Sequence, residues 1–215
     1  MTTISRLYDD YAAAQQAVRD LEAAGLSASD ISIVASNADN WYQDRGKKRR
    51  DRVDTDRDGT DDRVEGAETG AGIGAAVGGT AGLLAGLGLL AIPGIGPVVA
   101  AGWLTATAAG ALAGGATGGI IGALTQAGVS KDEAHVYAEG VRRGGTLVTA
   151  RVPDGERTRY EAILDRSAVN IRDRADAYRK QGWTGFDNAG PPYSAEEARK
   201  ERERYASSSQ IGRTL

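Results

Sequence analysis

The chain has 215 residues, and 26 lysine and arginine residues against 29 aspartate and glutamate residues give it a formal net charge of −3. This balance gives no reason to expect nucleic acid as a partner, because phosphate binding requires a basic surface excess. With no cysteine and one histidine, the chain has no disulfides, thiolate metal sites, thiol catalysis or multi-histidine metal centre.

The first segment, residues 1–35, is predicted to contain a strand, a helix and a second strand. Residues 3–8 and 31–35 are short apolar runs typical of strands. Between them, residues 10–24 carry apolar side chains at helical spacing, and Gly25 follows as a stop signal. We interpret this segment as a β-α-β unit and as the first half of a domain.

Residues 36–66 are polar and charge-dense, and we interpret them as a linker that contains an aspartate-rich loop. The loop matches the calcium pattern D-x-D-x-D-G-x5-E, in which alternate carboxylates converge on the ion. It resembles EF-hand and thrombospondin type 3 calcium loops over 12 residues. The predicted Ca²⁺ ligands are the side chains of Asp54, Asp56, Asp58, Asp62 and Glu65 and the backbone carbonyl of Thr60. No amphipathic helices flank the loop, so a solvated or arginine-paired linker remains the alternative.

The central segment, residues 67–128, contains no charged side chain after Glu68. Its glycines recur at intervals of four, which places them on one face of a helix and allows close helix packing. The predicted packing positions are Gly70, Gly74, Gly78, Gly82 and Gly86 in one helix and Gly110, Gly114, Gly118 and Gly122 in a second. Pro93 and Gly94 break the pattern, so we predict a helical hairpin of residues 69–91 and 98–124 with a tight turn between them.

Each predicted helix is long enough to cross a hydrocarbon core of about 30 Å. Basic residues precede the first helix and none lies in the turn, so the positive-inside rule places both termini in the cytoplasm. We therefore predict a bacterial inner (cytoplasmic) membrane location, with membrane lipid as a partner and a homo-oligomer formed through the glycine zipper. A helical hairpin buried in a soluble assembly and a surface-associated hairpin remain alternatives.

Residues 129–174 are predicted to form the second half of the interrupted domain. Ser130 and Glu133 form a capping box for a helix that ends at Gly144-Gly145. A strand at 146–152, a turn, a helix at 156–166 and a last strand at 168–171 follow. Together with the first segment, this order predicts an α+β fold, a ferredoxin-like βαββαβ domain interrupted by the inserted hairpin.

The tail, residues 175–215, is predicted to be partly disordered. A helix over 194–205 has almost no apolar face, so we expect it to be solvated or bound to a partner.

Two segments support a family resemblance, GVSKDEAHVYAEGVRRGGTLVTARV (128–152) and AYRKQGWTGFDNAGPPYSAEE (177–197). With the order of elements, they resemble bacterial general stress protein 17M-like domains that carry a glycine-zipper insertion. The resemblance covers most of residues 3–197. It implies a stress-associated bacterial protein without assigned catalysis, and it supplies no catalytic residues.

These observations predict a non-enzymatic, membrane-anchored stress-response protein of the structural or interaction type. It would self-associate through the hairpin and display a cytoplasmic domain. Two alternatives stay open, a calcium-responsive sensing module and a soluble small-molecule-binding ferredoxin-like protein.

Overall fold

The computed structural model describes residues 1–42, 83–107 and 119–211. It contains one five-stranded sheet with the strand order β1-β5-β2-β4-β3, in which every neighbouring pair is antiparallel. The strands are β1 (Thr2–Tyr8), β2 (Ile31–Ser36), β3 (Gly88–Ile92), β4 (Gly96–Gly102) and β5 (Thr146–Val152). β5 lies between β1 and β2 and pairs antiparallel with both of them. The β1 and β2 strands therefore run parallel to each other, and their C-terminal ends lie at the same end of the sheet.

Helices cover both faces of this sheet. In chain order they are α1 (Tyr11–Ala23), α2 (Gly119–Gln126), α3 (Lys131–Arg142), α4 (Arg157–Leu164), α5 (Ile171–Lys180) and α6 (Ala195–Ile211). The α1 and α4 helices bury Val18 and Leu164 against one face, and α2 and α3 bury Leu124 and Val141 against the other. Strand residues alternate between the two cores, as the two-residue period of a strand requires.

The sequence correctly predicts most of the elements that flank the central segment. The α+β class is confirmed, and β1, α1, β2, α3, β5 and α4 lie where the apolar periodicity places them. Ser130 is confirmed as the N-cap of α3, because its hydroxyl accepts from the Glu133 amide at 3.3 Å. The same hydroxyl donates to the Glu133 carboxylate at 2.7 Å. After α3, the Gly145 amide donates to the Gly140 carbonyl and the Gly144 amide to the Val141 carbonyl, which is a Schellman termination.

The predicted helical hairpin is wrong at residues 88–102, which form a β-hairpin. Of the second predicted helix, residues 98–124, the structure shows residues 119–124 as helical, within α2. Pro93 and Gly94 do make the predicted turn, closed by a 3.0 Å hydrogen bond from the Ile95 amide to the Ile92 carbonyl. Gly102, which lies inside the second predicted helix, has a φ of +93°, a value that a right-handed helix does not allow. The β4 strand instead pairs with β2 and buries Val98 and Val99 completely.

Among the helices of residues 1–42, 83–107 and 119–211, none combines the length and the apolar character needed to cross a bilayer. This finding contradicts the two predicted membrane spans and the inner-membrane location, with both termini cytoplasmic, that followed from them.

The ferredoxin-like order is also wrong, for two reasons. The segment predicted as the last strand, residues 168–171, leads into a helix, because the Asn170 side chain accepts from the amides of Arg172 and Asp173 and caps α5. The sheet is instead extended at its opposite edge by β3 and β4, and helices pack on both of its faces.

The tail helix forms but is not solvated along its length. Its start has the geometry of a capping box, since the Ser194 amide donates to the Glu197 carboxylate at 2.8 Å and the Glu197 amide donates to the Ser194 hydroxyl at 3.3 Å. Ala198 is fully buried and Glu201 is nearly so. The α6 helix therefore packs against the domain, and its residues help to form the candidate site.

Candidate functional site

An open cleft of about 1400 Å³ lies at the end of the sheet where β1 and β2 end and β5 begins. Ala35, Ser36 and Thr146 line it from the sheet. The first turns of α1 and α5, the segment after β2, and α6 supply its other walls. The residues that follow two parallel strands lie at the same end of the sheet. Side chains that are distant in sequence therefore lie close together in this cleft.

Asp9 and Arg174 form an ion pair on one wall of the cleft. Both terminal guanidinium nitrogens of Arg174 donate to the Asp9 carboxylate at 2.8 Å. Arg174 is 7% exposed, and its guanidinium carbon lies 3.6 Å from the centroid of the Tyr205 ring. Burial lowers the pKa of Arg174, but the hydrogen bond and the charge of Asp9 outweigh it, so the pKa is raised overall. Arg174 therefore stays charged.

Arg202 and Asp39 form a second ion pair, at 2.8 Å, which connects α6 to the segment after β2. The other carboxylate oxygen of Asp39, Oδ1, is buried and has no hydrogen-bond partner among the described residues. Gly144 allows α6 to come this close, since a Cβ there would lie 3.1 Å from the Ala198 carbonyl and from Arg202. The glycine pair after α3 thus serves the cleft as well as the helix end.

Aromatic side chains complete the lining. Trp41 and Tyr11 have ring centroids 4.5 Å apart, and the Trp41 indole donates to the Ser36 carbonyl at 2.8 Å. This hydrogen bond holds the indole against the end of β2. The cleft therefore combines paired charges with planar apolar surface.

A buried polar cluster lies behind the Asp9–Arg174 wall. Arg143 donates to Glu139 at 2.6 Å and to Gln181 at 2.7 Å, and its guanidinium carbon lies 4.2 Å from the Tyr178 ring centroid. Burial lowers the pKa of Arg143, but Glu139 outweighs this effect and raises it overall. The cluster joins α3 to α5, and Glu201 of α6 lies 3.5 Å from Arg143, so it fixes the two helices that carry the cleft arginines.

None of the residues predicted as sites from sequence is among the described residues that line this cleft. The predicted calcium ligands Asp54, Asp56, Asp58, Thr60, Asp62 and Glu65 lie outside the described residues, as do Gly70, Gly74, Gly78, Gly82, Gly110, Gly114 and Gly118. Gly86 lies in a 3₁₀ turn (Leu83–Gly86), and Gly122 lies in α2, where an added Cβ would meet no atom within 4 Å. In the part of the chain that the structure describes, no group of three or more histidine, cysteine, aspartate or glutamate side chains could hold a metal ion.

Sequence reasoning missed the four residues of the two ion pairs in the cleft, although two of the four carry a signal. Asp9 and Asp39 each follow a predicted strand, and in a β-α-β unit such positions fall at one edge of the sheet. Arg174 had no such signal. The strand predicted before it, residues 168–171, lies outside that β-α-β unit, and the structure has the start of α5 there instead. Arg202 had none either, because α6 was expected to be solvated.

Comparisons with family models, with curated proteins and with solved structures each gave no match to this chain. The stress-response role that the family resemblance implies therefore stays a prediction.

Proposed function

We propose that this chain is a non-catalytic binding protein whose cleft takes a small zwitterionic molecule, such as an amino acid or a short peptide. The observation that carries this proposal is the pairing of two arginines with two aspartates in one open cleft of about 1400 Å³. Binding sites for small molecules are typically concave and combine a few placed polar groups with apolar surface.

The paired charges favour a ligand that carries both signs. Asp9 and Asp39 offer carboxylate oxygens to an ammonium group, and Arg174 and Arg202 offer guanidinium donors to a carboxylate. Guanidinium groups bind carboxylates strongly because two N–H donors match two oxygens. A ligand with a single charge would be attracted by one member of each ion pair and repelled by the other at a similar distance. A zwitterion can place its ammonium group near an aspartate and its carboxylate near an arginine.

A second argument concerns the orphan oxygen of Asp39. A buried acceptor without a hydrogen bond costs about 1–3 kcal/mol, and Asp39 Oδ1 is such an atom. Because Asp39 lines the cleft, an ammonium group bound beside it would be the donor nearest to hand for this oxygen.

The lining argues for binding rather than chemistry. The side chains that line the described cleft include no histidine, cysteine or lysine. The histidine of the chain, His135, accepts a 3.2 Å hydrogen bond from the Phe186 amide and is not among the lining residues.

The test uses Trp41 as a reporter in a chain that carries Trp103→Phe and Trp183→Phe. Glycyl-phenylalanine should change the Trp41 emission saturably, and its acetylated and amidated analogue should not. Replacing Arg202 with glutamine should weaken binding about tenfold, because a charge-assisted hydrogen bond is lost.

Lys200→Gln is the matched control, since Lys200 lies on the same helix, is exposed and does not line the cleft. No saturable response to amino acids or dipeptides would contradict the proposal. Equal binding of the charged and blocked peptides, or an unchanged affinity in Arg202→Gln, would contradict the zwitterion assignment.

A further inference from the structure

The sheet ends in two edge strands, and their outer sides are covered very differently. On β1, Arg6 is paired with Asp165, and the Val169 amide donates to the Leu7 carbonyl at 2.8 Å. Charges and covering loops are the usual protection of a sheet edge against pairing with another chain. The β1 edge has both.

Among the residues that the structure describes, neither a charged side chain nor a covering loop protects the β3 edge in this way. Its sequence, GLLAI, contains no charge and no proline, and within the described residues it pairs only with β4. Leu89 is 43% exposed and, in the described part of the chain, is the one large apolar side chain besides Met1 to be so exposed. An uncharged apolar edge strand is a template for strand addition.

We propose that β3 is a docking edge for β3 of a second copy of this chain, with the two strands antiparallel about a two-fold axis at Leu90. This register is complementary in size. It sets Gly88 opposite Ile92 and Leu89 opposite Ala91 of the partner copy, so each large side chain meets a small one, while Leu90 meets its own copy. A two-fold interface requires such self-complementarity.

The charge and the exposure of β3 also favour a second copy of this chain as the partner. No charged residue lies between Glu68 and Lys131, so two copies of this strand approach without like-charge repulsion. Leu89 and Ala91 are both exposed and lie on the same face of the strand. Pairing covers Leu89 of each copy with Ala91 of the other and supplies partners to the outward backbone N–H and C=O groups of β3. The result is a single sheet that continues through both copies.

The first test is the molar mass of the full chain in solution, measured by light scattering over a range of concentration. We expect twice the 22.4 kDa of one chain. The variant Leu89→Lys/Ala91→Lys sets lysine opposite lysine across the proposed axis, and it should weaken the dimer by at least about tenfold. Both positions are exposed, so the fold itself should survive.

The second test fixes the register. In Leu89→Lys/Ala91→Glu each lysine faces a glutamate of the other copy, so the dimer should re-form although the strand is now charged. Ala12→Lys, at an exposed position on α1, is the control and should leave the mass unchanged.

A wild-type chain that stays monomeric at every concentration would overturn the proposal. So would a dimer that both double variants preserve, since that result would place the interface elsewhere. If both double variants remain monomeric while circular dichroism shows a folded chain, the register at Leu90 is wrong. The cleft and the β3 edge are different surfaces, so neither result depends on whether the cleft binds a ligand.

Discussion

Asp9 and Arg174 are joined by two parallel hydrogen bonds of 2.8 Å, which tie the end of β1 to the first turn of α5 across 165 residues of chain. Removing one partner of such a buried pair is costly because the other charge remains buried and unpaired. The stability of the cleft wall therefore depends on this pair.

We predict that Asp9→Asn lowers the free energy of unfolding by about 3 kcal/mol, towards the lower end for a buried pair, because the Asp9 side chain is 23% exposed. Urea unfolding followed by circular dichroism measures this change. Asp20→Asn is the control, since its partner Arg166 is 66% exposed, and it should cost no more than about 1 kcal/mol. Equal effects in the two variants would show that the pair adds nothing specific.

A second prediction concerns Gly102, where β4 approaches β2. A Cβ at this position would lie 2.7 Å from the Ser32 Cα and closer still to the Ile31 carbonyl, and φ is +93°. Both neighbours are backbone, so the strands would have to separate. We expect Gly102→Ala to lower the free energy of unfolding by about 1–3 kcal/mol.

Gly155→Ala is the matched control, because no atom lies within 4 Å of an added Cβ at that position. Its effect on the denaturation midpoint should be neutral or slightly stabilising, since alanine restricts the unfolded chain. A Gly102→Ala variant as stable as this control would mean that β4 does not lie against β2 as described.

The flanking elements were predictable because their signals are local. Ser130 and Glu133 form a capping box within four residues, and the apolar side chains of α1 recur at helical spacing. Such features report the structure of their own segment without any knowledge of tertiary contacts. The same reasoning located the turn at Pro93 and Gly94.

The strands beside that turn were not predictable in this way. Glycines four residues apart fit a helix face, yet the conformations of Gly96 and Gly102 and the pairing of β4 with β2 depend on the rest of the sheet. In an uncharged segment, polar and apolar residues do not alternate. The two-residue pattern that would indicate a strand with one buried face is therefore absent from the sequence. The cleft was missed for a related reason, since Arg174 and Arg202 reach it only through helix packing.

A third prediction tests the aspartate-rich loop, which stays a sequence-based hypothesis. The full chain should bind Ca²⁺ with a dissociation constant of about 10⁻⁴ to 10⁻³ M, because the sequence predicts no amphipathic helices beside the loop and the loop would then have to be ordered on binding. Isothermal titration calorimetry measures the affinity. Asp56→Asn/Asp58→Asn should abolish the heat, and Asp173→Asn, outside the loop, should not. The same heat in the loop variant would reduce the motif to a charged linker.

The last prediction concerns alkaline pH and the buried tyrosines. Tyr137 donates a 2.7 Å hydrogen bond to the Ser5 carbonyl, and Tyr8 donates one of 2.8 Å to the Leu164 carbonyl. Burial raises the pKa of Tyr137 from 10.0 to about 12, although the charge of Arg6 acts in the opposite direction. Burial also raises the pKa of Tyr8 and of Tyr178.

Between the unfolded pKa of 10.0 and the folded pKa of about 12, the unfolded chain has lost the Tyr137 proton while the folded chain keeps it. The free energy of unfolding should therefore be unaffected by these groups below pH 10 and should fall as the pH rises above it. The fall is about 1.4 kcal/mol per pH unit for each tyrosine that stays protonated.

Absorbance of the tyrosinate anion should show fewer than the eight tyrosines of the chain ionising before unfolding. The remaining tyrosines should ionise together with the loss of circular dichroism. In Tyr137→Phe the dependence of stability on pH should be shallower by one proton, and ionisation of all eight in a chain that stays folded would contradict the burial of these hydroxyls.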